Sequence, residues 1–216
     1  MISTLEGAYR EHHHDKRRGG FAILEKERGA LFKKLVGVGK KVLDLGCRDG
    51  VITKYFIEGN DVTGVDIDSV ALETAREGLG IKILSFDIQA HSWPIQSESF
   101  DVVVAGELLE HIYFPGEIMQ KINKVLRPGG SFIGSVPNAF ALKNRIKYLF
   151  AVKRGTPLED PMHINQFSWP DLAGLFQSCF GSAVLYPLGK KFGGVVNISP
   201  SLLAYSIAFS AKKVDL

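Results

Sequence analysis

Strand-like and helix-like segments alternate without a break between residues 42 and 136, and this alternation constrains the fold more than any other feature of the chain. Short runs rich in β-branched residues predict strands, and segments with apolar residues at helical spacing predict helices. The predicted strands are residues 42–45, 61–66, 81–86, 99–105 and 131–136, and the helices between them include residues 69–77 and 115–126. Such βαβ units imply right-handed crossovers and a parallel sheet covered by helices on both faces.

The first predicted strand runs into a glycine turn, in the sequence VLDLGCRDG of residues 42–50. Gly46 and Gly50 permit backbone dihedrals and close approaches that a Cβ atom would prevent, and residues 51–57 are suited to a following helix. Strand, turn and helix form a common nucleotide cradle, although an ordinary βα turn has the same appearance. Asp44 makes the pattern DxGxxxG instead of the dinucleotide pattern GxGxxG. A carboxylate there favours a ligand with an ammonium group and disfavours a pyrophosphate.

Acidic side chains also end the next predicted strands, and parallel strands bring these ends to one edge of the sheet. Asp66 follows the glycine turn by about twenty residues, where a carboxylate accepts both hydroxyls of a ribose. Its alternative role as a helix N-cap fits Asp68 better. Asp87 could bound an adenine together with Ile88 and, from the opposite face, Ile67, or it could be an ordinary loop acid.

Five motifs in order make residues 42–136 resemble the class I S-adenosylmethionine-dependent methyltransferases. The motifs are VLDLGCRDG, VTGVDID, FDI, FDVVVAGELLEHI and VLRPGGSFIGSVPN. The resemblance implies an α/β fold, namely a Rossmann-like, doubly wound sheet of seven mostly parallel strands with helices on both faces. It also implies S-adenosylmethionine as cofactor and S-adenosylhomocysteine as product. By resemblance, the cofactor pocket comprises Asp44, Gly46, Cys47, Arg48, Gly50, Asp66, Ile67, Asp87, Ile88, Ala105 and Glu107.

Arg48 is the one departure from the family's commonest glycine loop, GxGxG, because it replaces the middle glycine. The left-handed freedom of a glycine is lost there. We expect Arg48 either to take tolerated dihedrals with its side chain outward, or to pair with the carboxylate of the cofactor.

The implied reaction mainly requires that nucleophile, methyl group and sulfur be held in line. A general base is needed only where the acceptor is a hydroxyl group, and His111 and His163 are the candidate bases because histidine accepts protons near neutral pH. Structural roles, on a helix for His111 and in a loop for His163, are the alternatives. Glu107 follows the fourth strand, where the resemblance places the junction of cofactor and substrate, and is a third catalytic candidate.

The segment after residue 137 changes in character and is predicted to form a substrate-side insertion or lid, residues 138–167. A narrower resemblance links it to the ubiquinone and menaquinone-type small-molecule methyltransferases and suggests Asn138, Tyr148, His163 and Phe167 as substrate-side residues. Within it, residues 140–154 are basic and aromatic. Such a helix could lie in a membrane interface and receive a lipid-borne substrate, or it could be a lid whose apolar side packs on its own domain.

Composition restricts the remaining classes of function. The length of 216 residues fits one domain. The net charge of only +3 argues against nucleic acid as a partner. Residues 1–20 are polar and lack the apolar core of a secretory signal, so a cytoplasmic location and a mobile N-terminal segment are expected. The run His12–His14 leaves a metal site as an alternative, but neighbouring histidines in one run are expected to point in different directions, so no metal site is predicted.

The sequence therefore predicts a single-domain methyltransferase acting on a small molecule, most readily at a hydroxyl oxygen. N- or C-methylation, and cofactor binding without turnover, remain open, as does the oligomeric state.

Overall fold

The computed structural model describes residues 7, 10, 11, 19–189 and 199–214. Most of the predicted mobile segment 1–20, with the histidine run His12–His14, lies outside the described residues. The strands are β1 (Lys41–Leu45), β2 (Asp61–Asp66), β3 (Lys82–Ser85), β4 (Phe100–Gly106), β5 (Leu126–Pro137), β6 (Ala183–Leu188) and β7 (Ser206–Lys212). The helices are α1 (Glu25–Val36), α2 (Ser69–Leu79), α3 (Pro115–Val125), α4 (Leu142–Leu149), α5 (Trp169–Phe180) and α6 (Pro200–Leu203).

The seven strands form one sheet in the order β3-β2-β1-β4-β5-β7-β6. Strands β1 to β5 pair in parallel, and β7 pairs antiparallel with both β5 and β6. The order reverses between β1 and β4, and in doubly wound sheets ligands bind at such a switch point, beyond the carboxyl ends of the strands. The predicted seven-stranded, mostly parallel sheet is confirmed.

Side chains of the central strands alternate between two apolar layers, one on each face of the sheet. In β4, Val103 and Ala105 join the layer built with α3 and α5, whereas Val102 and Val104 join the layer built with α1 and α2. The period of two in a strand produces this division, and burial on both faces explains the continuous apolar run in the sequence. Strand β4 is thereby fixed at the centre of the fold.

The segment after the glycine turn corrects the prediction of a helix at residues 51–57. Only a 3₁₀ turn, Thr53–Tyr55, forms there. Val51, Ile52 and Thr53 are β-branched and therefore poor helix formers, and the Thr53 hydroxyl donates a hydrogen bond of 2.6 Å to Asp44 Oδ2. This bond draws the segment back against β1, so no long helix presents its N-terminus to the site.

The helix after the second strand begins as predicted at an aspartate cap. Asp68 accepts hydrogen bonds from the backbone N–H groups of Val70 and Ala71, at 3.1 and 3.2 Å. This caps α2 and leaves Asp66 at the strand end for another role. Of the helices in the described ranges, none combines the length and the apolarity that crossing a bilayer requires.

Candidate functional site

A cavity of about 310 Å³ opens at the carboxyl ends of the central strands. Its volume is in the range of small-molecule pockets. The following residues predicted for the cofactor or for catalysis line it: Asp44, Gly46, Cys47, Arg48, Asp66, Ile67, Asp87, Ile88, Glu107, His111 and His163. Parallel pairing of β1, β2 and β4 aligns their ends and so brings distant parts of the sequence to one place.

Asp44 is a buried carboxylate at this edge of the sheet. Burial raises the pKa of Asp44 to about 7, although the hydrogen bond from Thr53 lowers it. Nearby Asp66 raises the pKa of Asp44 further through its own negative charge. A positively charged ligand group would relieve this cost, since an opposite charge favours the ionised carboxylate.

Asp66 lies at the end of β2 with both carboxylate oxygens held by the backbone. Its Oδ2 accepts the N–H of Arg48 at 2.9 Å, and its Oδ1 accepts the N–H of Asp68 at 2.9 Å. Burial raises the pKa of Asp66, and these backbone hydrogen bonds lower it. Each oxygen keeps a second lone pair, so the held carboxylate can still accept hydroxyl groups from a diol.

Arg48 takes the left-handed conformation of a glycine, although the loss of the glycine was expected to remove it. Its φ is 51°, in the left-handed region, at a cost of about 1–2 kcal/mol for a residue with a Cβ. Its guanidinium binds the carbonyl oxygen of Phe21 through Nη2 at 2.7 Å and Asp49 Oδ1 through Nε at 3.0 Å. These contacts tie the turn to the chain before α1.

Arg28, which sequence reasoning missed, enters the cavity from α1. It is 4% exposed, and its Nη1 lies 3.3 Å from Glu107 Oε1. Among the residues that the structure describes, neither Nε nor Nη1 of Arg28 makes a hydrogen bond. Burying a guanidinium whose N–H groups lack hydrogen-bond acceptors is costly unless a bound anion accepts their hydrogen bonds. An arginine among the lysines and glutamates of a surface helix carries no sequence signal that would have identified it.

Glu107 takes a left-handed φ of 55° directly after β4. Its Oε1 accepts the hydroxyls of Ser135 and Ser206, each at 2.8 Å, in addition to facing Arg28. The carboxylate is thereby held against β5 and β7. This arrangement favours a role for Glu107 in positioning Arg28 rather than in acid–base catalysis. The proposed catalytic role of Glu107 stays a prediction.

Asp87, Ile88 and Ile67 lie together along another part of the cavity wall. Asp87 Oδ1 accepts the N–H of Gln89 at 2.8 Å, and Ile88 is buried in the core. A planar base could be bounded there by apolar side chains, with a carboxylate oxygen at its edge.

His111 and His163 meet at the cavity although 52 positions separate them in sequence. Their ring centroids are 4.9 Å apart. Nδ1 of His111 lies 2.9 Å from the carbonyl oxygen of Met162, and Nδ1 of His163 lies 3.0 Å from that of Pro157. A carbonyl can only accept, so Nδ1 carries the proton in each neutral ring and Nε2 keeps the lone pair.

Five predicted site residues do not line the cavity: Gly50, Ala105, Asn138, Tyr148 and Phe167. A Cβ at Gly50, whose φ is +79°, would come within 2.5 Å of Leu79, so this glycine serves packing against α2. Asn138 donates through Nδ2 to the carbonyls of Ser201 and Ala204, each at 3.0 Å, which anchors the insertion to the chain before β7.

The other three are internal as well. Ala105 lies fully buried in β4, and Phe167 is part of the core layer with α3 and α5. Tyr148 faces inward from α4, and its hydroxyl has no hydrogen-bond partner among the described residues. Ala105 was predicted for the cofactor and Tyr148 and Phe167 for the substrate, and these roles stay predictions.

Comparison with known sequences gives two findings. A family profile described as a methyltransferase domain matches residues 43–134. The ubiquinone biosynthesis O-methyltransferase of Vibrio cholerae is 33% identical over 154 residues, which cover 68% of this chain and 58% of that protein. The homologue from Pectobacterium atrosepticum is 36% identical over 106 residues, covering 46% of this chain and 44% of that protein. The chain thus spans less than two thirds of the length of these relatives.

Comparison with solved structures gives the same fold. The 1,6-didemethyltoxoflavin-N1-methyltransferase of Burkholderia thailandensis, solved with S-adenosylhomocysteine, matches with a TM-score of 0.67 and 21% identity, over 98% of this chain and 88% of that one. A SAM-dependent methyltransferase from Archaeoglobus fulgidus matches with a TM-score of 0.66 and 16% identity, over 95% and 99% of the two chains.

Proposed function

Because the chain belongs to the class I S-adenosylmethionine-dependent methyltransferases, we propose that it methylates a small molecule at a hydroxyl oxygen. One observation carries the proposal: a single cavity is lined by the carboxylates of four strand ends and by two histidines whose Nδ1 atoms each face a backbone carbonyl, which leaves Nε2 as the basic nitrogen of the neutral ring. The carboxylate end suits the cofactor, and the histidine end suits an acceptor that must lose a proton.

The residues of the cavity fit the cofactor by charge. Arg28 has unused donors for the carboxylate of its methionine part, and Asp44 offers a negative charge to its ammonium group. Asp66 would accept the ribose hydroxyls, and Ile67 and Ile88 would bound the adenine. Arg28 is the most specific of these matches, because its buried Nε and Nη1 make no hydrogen bond within the described part of the chain even though Glu107 lies 3.3 Å from Nη1.

When bound, the cofactor supplies an electrophilic methyl group on a sulfonium sulfur. The chain's own residues must then orient the acceptor and take its proton. Nε2 of His111 or His163 can receive a hydroxyl proton, while the carbonyls of Met162 and Pro157 hold each ring in the required tautomer. A nitrogen or carbon acceptor would have less need of this pair.

The names of the sequence relatives support oxygen as the acceptor atom, since those proteins are O-methyltransferases of ubiquinone biosynthesis. The structural neighbour that methylates nitrogen keeps N-methylation as the second candidate. The third is a binding protein that holds the cofactor without turnover.

The test is to measure release of S-adenosylhomocysteine, and the mass of the product, with catechols, phenols and the matching aromatic amines. Acceptor-dependent release with hydroxyl acceptors supports the proposal, and release with amines alone supports N-methylation. Cofactor binding without release for any acceptor supports the binding protein. Asp66→Ala, which should lose the cofactor, controls for contaminating enzymes.

We also propose that the protein is cytoplasmic and contacts membrane surfaces through residues 140–154. Helix α4 buries one polar side chain and leaves its aliphatic side chains exposed. Asn144 is buried and donates from Nδ2 to the carbonyl of Asn138 at 3.0 Å. Leu142, Ile146 and Leu149, spaced at i, i+4 and i+7, are exposed. They form a stripe on the outer face.

The lid alternative required the apolar side of this segment to pack on its own domain, and the exposed stripe argues against it. Leu149 is 83% exposed and Phe150 is 76% exposed. Residues 138–157 contain no Asp or Glu, and Lys143, Lys153 and Arg154 stand exposed beside the stripe. An anionic lipid surface matches both the apolar residues and the charge.

A further inference from the structure

We propose that Glu110, His111 and His163 form a binding site for a divalent transition-metal ion. Each offers a ligand atom, and the three atoms lie within 4.8 Å of one another. Such a separation lets one ion reach all three after small side-chain movements, because metal–nitrogen and metal–oxygen bonds are about 2.0–2.2 Å long.

The fold presents these ligands from two segments. Glu110 and His111 belong to the 3₁₀ turn Leu109–His111 that follows β4, and His163 lies in the loop between α4 and α5. The N–H of Asn165 donates to the carbonyl of Glu110 at 2.9 Å, and Asn165 Nδ2 donates to the carbonyl of Ile112. These bonds hold the loop against the turn.

The histidines are oriented as metal-binding histidines usually are. Metal-ligating imidazoles typically donate their second ring N–H to a carbonyl or carboxylate, which fixes the tautomer. Nδ1 of His111 and of His163 each face a backbone carbonyl, so both lone pairs are on Nε2. Two imidazoles and one carboxylate suit Zn²⁺, Mn²⁺, Fe²⁺ or Co²⁺ better than Mg²⁺ or Ca²⁺, which prefer oxygen ligands.

Asp160 adds negative charge to the same place. Its Oδ2 lies 4.0 Å from Nε2 of His163, and both side chains are largely buried. An ion pair between His163 and Asp160 is the competing interpretation of this contact, and direct measurement of metal binding distinguishes the two.

The three ligands also line the cavity described above. A bound ion would thus border the acceptor end and could bind and orient the acceptor oxygen. That role rests on the proposed O-methylation, whereas the metal site itself does not.

The experiment measures binding of Mn²⁺, Co²⁺, Zn²⁺ and Mg²⁺ by calorimetry, and the visible absorption of the Co²⁺ form. All proteins carry His12→Gln, His13→Gln and His14→Gln, because the histidine run could bind metal by itself. We expect one Co²⁺ or Mn²⁺ per chain and weaker Mg²⁺ binding. His163→Gln and Glu110→Gln should each weaken binding more than about 100-fold, beyond the loss of about 10–100-fold that is typical of changes outside the first coordination shell.

His91→Gln is the matched control, because His91 is exposed and does not line the cavity. It should bind metal as the parent does. Circular dichroism and urea unfolding of each variant show whether the fold is intact, and His163→Gln, in a loop, decides the matter if Glu110→Gln does not fold. Absence of stoichiometric metal, or equal affinity in parent and His163→Gln, overturns the metal site and leaves the methyl-transfer proposal in place.

Discussion

The backbone N–H of Arg48 donates a hydrogen bond of 2.9 Å to Oδ2 of Asp66 and joins the glycine turn to the end of the neighbouring strand. Arg48 itself takes a left-handed φ of 51° in this turn. Asp66 in turn binds the N–H of Asp68, the cap of α2. One carboxylate therefore sets the shape of two loops at the edge of the cavity.

Replacement of Arg48 by glycine should give a more stable protein than replacement by alanine. Both changes remove the same side-chain contacts, but alanine keeps the left-handed penalty of about 1–2 kcal/mol. The chain-entropy cost of glycine is smaller and offsets only part of this penalty. We expect a difference of about 1 kcal/mol in the free energy of unfolding, measured with urea. An alanine variant as stable as the glycine variant would contradict the strained turn.

Replacement of Arg28 by methionine should weaken binding of S-adenosylhomocysteine by about 10–100-fold, equivalent to about 1.5–3 kcal/mol for a hydrogen bond to a charged group. Binding of 5′-methylthioadenosine, which lacks the carboxylate, should hardly change. Calorimetry with both ligands tests this, and Arg48→Ala is the control because its guanidinium is already bonded to Phe21 and Asp49. If Arg48→Ala alone loses affinity, the carboxylate role belongs to Arg48.

The stability of the unliganded protein should respond to the pH through Asp44. Its pKa in the folded protein, about 7, is above the ordinary value of 3.8. Between pH 3.8 and pH 7 this carboxyl group is therefore protonated in the folded state and ionised in the unfolded state. Stability from this group is full below pH 4 and is lost as the pH rises toward 7.

Asp44→Asn should remove this loss of stability with rising pH. Its free energy of unfolding relative to the parent should therefore increase by about 3 kcal/mol between pH 5 and pH 8, at about 1.4 kcal/mol for each pH unit up to 7. Urea unfolding of both proteins at several pH values measures it. A constant difference across this range would show that Asp44 has an ordinary pKa.

The outward stripe of α4 predicts binding to anionic vesicles. The double variant Leu149→Glu and Phe150→Glu should abolish cosedimentation with vesicles rich in phosphatidylserine. Replacing Lys143, Lys153 and Arg154 with alanine should weaken it about 100-fold, at about 1 kcal/mol for each charge. Val38→Glu is the control, since Val38 is 72% exposed but precedes β1 at the opposite edge of the sheet. Failure of the parent to bind such vesicles would end the membrane proposal.

Much of the cofactor side could be predicted because the signal is local. A glycine turn after an apolar strand, and carboxylates at successive strand ends, are readable wherever each strand is recognised, and parallel pairing then places them together. The helix predicted at residues 51–57 failed because the sequence does not show the Thr53–Asp44 hydrogen bond that replaces it. The substrate-side residues were harder to predict, because Asn138, Tyr148 and Phe167 have residue types that serve packing as readily as substrate recognition.

The sequence by itself determined the alternation of strands and helices, the sheet that follows from it and the row of acids at its edge, because period and spacing are properties of the chain. The tertiary structure alone decided which distant residues meet. It brought Arg28 from α1 to Glu107, and His163 from a loop to Glu110 and His111. Only packing brings a side chain into a site across dozens of positions, and no local pattern encodes it.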